Sequence, residues 1–206
     1  MKNTEEFKFE CTRCGNCCTD KNTIVNVTYF DILRIKNGLN LSIDEILETL
    51  GFFIFDKMPS EEELKKMIVP PIETENGLAF TGLNKRENGS CYFYNIDEKK
   101  CMIYNLRPKF CRTFPFTFSI IFNDKSSEKA KIKMSYTEKS IEYCPGIGTE
   151  APLVDEDKWI QLGKETIEDL SKNNVLIKKW NEAVKLKKVS PSTRNYLLTI
   201  FNLNEK

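Results

Sequence analysis

Four cysteines crowd into eight residues, Cys11-Thr12-Arg13-Cys14-Gly15-Asn16-Cys17-Cys18, in a chain that has four further cysteines and no histidine. Two residues between cysteines let both sulfurs turn toward one ion while the amides of the loop point inward, which is why the CxxC spacing recurs in zinc and iron–sulfur sites. Here the spacing runs on to CxxCxxC with one more cysteine attached. The segment reads as a loop organised for thiolate metal binding.

Composition bears on where such thiols reside. The opening Met-Lys-Asn-Thr-Glu-Glu-Phe-Lys-Phe-Glu has none of the basic start, apolar run and small-residue cleavage site of a secretory signal, and no apolar run approaches a membrane span. The chain therefore reads as cytoplasmic, where reducing conditions favour metal sites over structural disulfides. An even cysteine count also suits a disulfide framework, but such frameworks belong mostly to short secreted chains. With 31 basic and 30 acidic residues the net charge is +1, so neither nucleic acid nor a membrane is expected as a partner.

Along the chain the pattern predicts an α+β fold: a small antiparallel sheet and metal-binding cysteine loops, with flanking helices and a helical C-terminal region. Ile24-Val25-Asn26-Val27 is a short β-prone run, and Thr28 caps a helix through Lys36 that Asn37-Gly38 stops. Ser42 and Glu45 form a capping box for a second helix, Ile43 to Leu50, ended by Gly51, and the two helices read as an insert. Pro59-Ser60-Glu61-Glu62-Glu63 opens a charged helix that Pro70-Pro71 closes. Leu78 to Leu83, Cys91 to Tyr94 and Cys101 to Tyr104 read as short strands, and a hairpin between the last two would bring Cys91 and Cys101 together at its base. Phe114 to Phe122 enters a strand that Asn123 to Ser127 turns toward Ala130 to Tyr136. From Asp155 the period becomes helical, with Trp159, Leu162, Ile167 and Leu170 on one face, then Leu176, Ile177, Trp180 and Val184, and after a break at Ser190-Pro191-Ser192 the set Tyr196, Leu197, Ile200 and Phe201. The expected division is a cysteine-cluster metal-binding domain over 1–154, carrying the helical insert, and a helical extension over 155–206 packed on it.

The remaining cysteines, Cys91, Cys101, Cys111 and Cys144, make a second group of four. Two tetrahedral thiolate sites would use all eight sulfurs, as would one four-iron cluster with four supporting cysteines. Four thiolates on one zinc leave a net negative charge, for which Arg13, Arg107, Lys109 and Arg112 are the available cations. Cys17 and Cys18 are adjacent, and adjacent side chains point apart in an extended backbone, so one of them is expected to face a different metal or the core. Bacterial-type ferredoxins pair CxxCxxC with a later cysteine followed by proline, and here Cys144-Pro145 stands at a distance. Arg107-Pro108 before Cys111 predicts a short helix, begun by proline, that delivers Cys111 and Arg112 beside the site.

At these residues the chain resembles the YkgJ-type cysteine-cluster proteins, described as candidate zinc- or iron-chelating domains. The matching pieces are Cys11 to Cys18 as CxxCxxCC, the run Cys101-Met102-Ile103-Tyr104-Asn105-Leu106-Arg107-Pro108-Lys109-Phe110-Cys111-Arg112-Thr113-Phe114-Pro115-Phe116, and Cys144-Pro145-Gly146. The family form of the middle piece is C-x-I-Y-x-x-R-P-x-x-C-R-x-F-P, matched here at every fixed position, with Cys91 as upstream partner. The resemblance spans Phe9 to Gly148 and implies metal or iron–sulfur binding through Cys11, Cys14, Cys17, Cys18, Cys91, Cys101, Cys111 and Cys144, with Tyr104, Arg107 and Arg112 as supports. Flagellin lysine N-methylases look similar in this region, which implies an alternative, modification of a protein lysine with S-adenosylmethionine; the chain departs from that pattern in having no glycine-rich nucleotide loop after a strand. The leading expectation is a metalloprotein holding an iron–sulfur cluster or zinc, the partner being the metal ion or cluster and, beyond it, a protein partner or substrate. Metal delivery or sensing, with Cys17 and Cys18 as an exchangeable site, is a third reading.

Overall fold

Most helices begin at caps that their own sequence supplies. The computed structural model describes residues 6–122 and 130–203. Within the cysteine run, α1 is one turn, Asn16–Thr19. Helix α2, Tyr29–Leu39, starts at Thr28, whose hydroxyl accepts from the Asp31 amide while the Asp31 carboxylate accepts from the Thr28 amide. The same reciprocal box, Ser42 with Glu45 and Ser60 with Glu63, opens α3 at Ile43–Thr49 and α4 at Glu61–Lys66.

Helix α2 runs on past Gly38, where the sequence predicts a stop, and ends at Asn40 in the left-handed conformation, φ 53°. Gly38 serves packing instead, since a Cβ there would lie 2.6 Å from the Leu106 side chain. Likewise Leu50 and Gly51, expected to end α3, begin a strand, β1 at Leu50–Ile54. It pairs antiparallel with Gly77–Leu83, Leu50 opposite Leu83, once Ile72–Thr74 is counted as β2 and Gly77–Leu83 as β3, in the sheet order β1-β3-β2. The β-prone run after the cysteine loop lies beside β3, with Val25 accepting from the Leu83 amide and the Val27 amide donating to Thr81.

The expected single sheet is three small antiparallel ones. Besides the three-stranded sheet there is a two-residue hairpin, β4 at Tyr94–Asn95 with β5 at Lys100–Cys101, followed by a 3-10 turn, Tyr104–Leu106. A short helix α5, Lys109–Thr113, leads into β6, Phe116–Phe122, which pairs with β7, Ala130–Tyr136. The turn expected at Asn123 to Ser127 lies outside the described residues. One-and-a-half turns of α6, Glu138–Tyr143, precede the long α7, Glu156–Lys185, capped by Asp155, and α8, Thr193–Asn202, capped by Ser192. The fold is α+β with a helical C-terminal region.

The main core joins the first half of the chain to the last two helices. Ile32 and Ile35 of α2, Ile46 of α3, Ile72 of β2 and Ile103 pack with Ile177 and Trp180 of α7 and with Tyr196, Leu197 and Ile200 of α8. Polar contacts lock α7 to the sheet edge: the Trp180 indole N–H donates to the Glu73 carbonyl at 2.9 Å, and the Asn181 amide group donates to Pro71 and accepts from the Glu73 N–H. A second cluster, Phe7, Phe116 and Met134 with Trp159 against them, ties the N-terminal segment and the β6–β7 hairpin to the start of α7. The Tyr136 hydroxyl both accepts from and donates to the backbone of Lys8, at 2.8 Å each way, which fixes the approach to Cys11. No helix among the described residues is long and apolar enough to cross a membrane.

Candidate metal centre

Glycine and one strained arginine give the cysteine run its shape. Arg13 and Gly15 have positive φ, 55° and 83°, so the chain reverses between Cys11 and Cys17, and Gly15 then starts α1. The Gly15 carbonyl accepts from the amides of Cys18 and Thr19. A Cβ on Gly15 would fall 2.1 Å from the Tyr94 hydroxyl, so the loop lies directly on the β4–β5 hairpin.

The two ends of this loop are held by different parts of the fold. At its start, the Glu10 amide donates to the Gly146 carbonyl at 3.0 Å and Phe9 bridges Ile147, which sets Cys11 beside the Cys144-Pro145-Gly146 turn. Asn16 adds a side-chain bond to the Tyr143 carbonyl at 2.9 Å. At its end, the Cys91 amide donates to the Cys18 carbonyl at 2.7 Å. The hairpin pairs Tyr94, not Cys91, with Cys101, because only two residues on each side form the ladder; Cys91 precedes it and bridges Lys85. Both sulfurs nonetheless face the same space.

Cys111 is presented by α5, whose N-cap position is Pro108 and which has no cap from its own side chains. Asp31, fully buried on α2, supplies it: its carboxylate accepts the Lys109 amide at 3.0 Å and pairs with Arg34, which donates onward to the Arg107 carbonyl at 2.7 Å. A carboxylate at a helix N-terminus satisfies an otherwise orphan N–H and complements the helix dipole. Sequence reasoning missed Asp31 and Arg34. Their local signal is a capping box, and the second role depends on a partner 78 positions away.

All eight cysteines, Cys11, Cys14, Cys17, Cys18, Cys91, Cys101, Cys111 and Cys144, line one cavity of about 180 Å³, walled by aromatic groups that include Phe93, Tyr94 and Phe114. All eight are free thiols; Cys11, Cys14 and Cys17 are exposed and the other five half-buried. The Cys17 and Cys18 sulfurs lie 4.0 Å apart. Of the expected cations, Arg13 and Arg107 line the cavity, their guanidinium carbons 4.6 and 3.8 Å from the centre of the Tyr104 ring. Lys109 and Arg112 are not among the lining residues; the Lys109 ammonium turns to Glu165 at 3.0 Å and Asp169 at 3.6 Å on α7, where burial of its stem leaves it paired.

The comparisons fit this geometry. A family model described as "CxxCxxCC: Putative zinc- or iron-chelating domain" matches residues 10–145. The chain belongs to this family. It is 27% identical over 139 residues to the uncharacterized protein MJ0661 of Methanocaldococcus jannaschii, a match that covers 68% of this chain and 58% of the length of that relative. No solved structure matches.

The donor set of this CxxCxxCC domain fits the chelating description: soft thiol sulfurs, no imidazole, and an apolar wall with two guanidinium groups to offset negative charge. The sulfurs surround the cavity rather than meet at a point. Among the described residues no three His, Cys, Asp or Glu side chains converge on a single ion position. A hydrogen bond from Cys18, with help from Arg107, lowers the Cys17 thiol to about 7, and the same bond together with burial pushes the Cys18 thiol up. Burial raises the thiols of Cys91, Cys101, Cys111 and Cys144. Metal binding at such groups has to displace their protons.

Proposed function

We propose that this protein is a cytoplasmic metalloprotein that holds an iron–sulfur cluster or zinc through its cysteine thiolates, with 1–154 as the metal-binding unit and 155–206 as a helical extension packed on it. The observation that carries this is the convergence of all eight cysteines, from five separate stretches of chain, on one cavity. Surface or core cysteines placed for packing alone would scatter. When bound, iron would supply electron exchange, whereas zinc would supply fold stabilisation only, having no redox chemistry in proteins.

The chain's own residues complete the site in either case. Arg107 and Arg13, stacked on Tyr104, offset the charge of the thiolates. Phe93, Tyr94 and Phe114 exclude water from the half-buried sulfurs, and Asp31 with Arg34 holds the helix that bears Cys111. A second reading, metal delivery or sensing, is favoured by one observation: Cys11, Cys14 and Cys17 are open to solvent, as an exchanging centre requires.

The test is anaerobic purification of the full chain, followed by iron, zinc and acid-labile sulfide per chain and a visible absorption spectrum. Iron with matching sulfide supports a cluster; stoichiometric zinc without sulfide supports the structural centre; neither metal at more than trace level would sink the proposal. For exchange, transfer of the bound metal to an apo acceptor faster than its loss to a chelator of equal affinity is the expected result.

A further inference from the structure

We infer that the eight thiols form two adjacent metal centres, Cys11, Cys14, Cys17 and Cys144 in one and Cys18, Cys91, Cys101 and Cys111 in the other, each for a thiophilic transition metal or its cluster. This inference rests on the metal-binding reading and states which sulfurs act together.

The backbone makes the division. The start of the cysteine loop is strapped to the Cys144 turn by the Glu10–Gly146 bond, the Phe9–Ile147 bridge and the Asn16–Tyr143 contact. A Cβ on Gly146 would fall 2.1 Å from the Glu10 carbonyl oxygen, so the two strands touch there without room for a side chain. The end of the loop is strapped to the hairpin instead, through the Cys91–Cys18 bond at 2.7 Å. The hairpin brings Cys101, and α5 then brings Cys111.

The vicinal pair lies at the boundary. Cys17 and Cys18 sit on α1, where successive side chains differ by about 100° in direction, so one turn of helix can offer a sulfur to each of two neighbouring ions. Their 4.0 Å separation makes the two centres neighbours. Cys17 belongs with Cys11 and Cys14 because the two-residue intervals of CxxCxxC turn those three sulfurs toward one ion, and Cys18 completes the second set. Tetrahedral thiolate coordination at a Zn–S length near 2.3 Å would need sulfurs roughly 3.8 Å apart, and eight sulfurs cannot share one ion at that spacing.

The experiment uses the full chain, stripped of metal under reducing, oxygen-free conditions and titrated with Co²⁺ as the probe, read by its thiolate charge-transfer band and by metal analysis after gel filtration. Two Co²⁺ per chain are expected; saturation at one overturns the inference while leaving metal binding intact. No charge-transfer band at all overturns the metal-binding reading itself, and this inference with it. In Cys144→Ser and Cys111→Ser, iodoacetamide labelling of the Co²⁺-loaded protein followed by peptide mass spectrometry reports which cysteines remain covered. With Cys144→Ser, Cys11, Cys14 and Cys17 become labelled and Cys18, Cys91, Cys101 and Cys111 stay protected; Cys111→Ser gives the converse. If either substitution exposes all seven remaining cysteines in a protein of unchanged circular dichroism, or if the protected sets mix the two groups, the division is wrong. The stoichiometry on the unaltered chain decides the matter even if a variant does not fold.

Discussion

Asp31 and Gly146 do more for the site than their residue types announce. Asp31 has 0% side-chain exposure and binds the Lys109 amide, the Thr28 amide and the Arg34 guanidinium together. Replacing it with alanine strands a partly buried cation and uncaps α5, an expected loss of about 3 kcal/mol. Urea unfolding should report that loss, and iodoacetamide should label Cys111 faster in Asp31→Ala than in the parent protein. Gly146 is required by a close approach of backbone, not by its dihedrals. In Gly146→Ala the new methyl meets a carbonyl that no rotamer change can move, so a cost of about 1–3 kcal/mol is expected together with faster labelling of Cys11. An unchanged urea midpoint in Gly146→Ala would mean that the Glu10 strand is free to shift. Cys11 and Cys144 each stand out in the sequence as candidate ligands, whereas the glycine two residues after Cys144 gave no sign that it sets their meeting.

At the scale of elements, helices with caps were the most legible, because a capping box is a contact between residues three apart. The box expected at Ser42 forms, and Thr28 and Ser60, read only as helix starts, head boxes of the same kind. Short strands were less legible. Leu50-Gly51 reads as a helix end locally and becomes β1 because β3 offers Leu83 and Gly82 as partners, more than 30 positions away. The Cys91 to Tyr94 run was expected to pair with Cys101 to Tyr104, but a turn of 3-10 helix at Tyr104 shortens the ladder to two pairs. The C-terminal helices contribute to the main core: Ile177, Trp180, Tyr196, Leu197 and Ile200 are all buried there. Truncating large buried side chains costs about 3–5 kcal/mol each for Trp or Phe to alanine. Trp180→Ala should therefore lower the urea midpoint by that amount of stability. Deleting 155–206 removes several such groups from a domain whose total stability is about 5–15 kcal/mol, and the truncated chain should show no cooperative unfolding transition. A truncated chain that melts cooperatively and keeps its metal would show that the core closes without α7 and α8.

For the whole molecule, the candidate metal site is where five stretches of chain meet, so any metal held there links site and fold thermodynamically. Anything bound to the native state alone stabilises it by mass action. Metal-loaded protein should melt above the chelator-treated form, and the separation should grow with free metal concentration; equal melting temperatures would mean the sulfurs bind without joining the segments. By itself the sequence determined which candidate donors are on offer, because the chain has thiols at CxxCxxC spacing and no imidazole, and it determined the helix starts, because caps act over a few residues. The α+β class was also within its reach, through changes of hydrophobic period. Only the tertiary structure decided that all eight sulfurs face one cavity, that Arg13 and Arg107 rather than Lys109 and Arg112 line it, and that a buried carboxylate from α2 caps the Cys111 helix. The reason is range. Caps and ligand spacings are set between near neighbours, whereas convergence on a cavity depends on contacts across 70 to 130 positions, such as Arg34 to Arg107 and Asn16 to Tyr143, which leave no periodic trace in the chain.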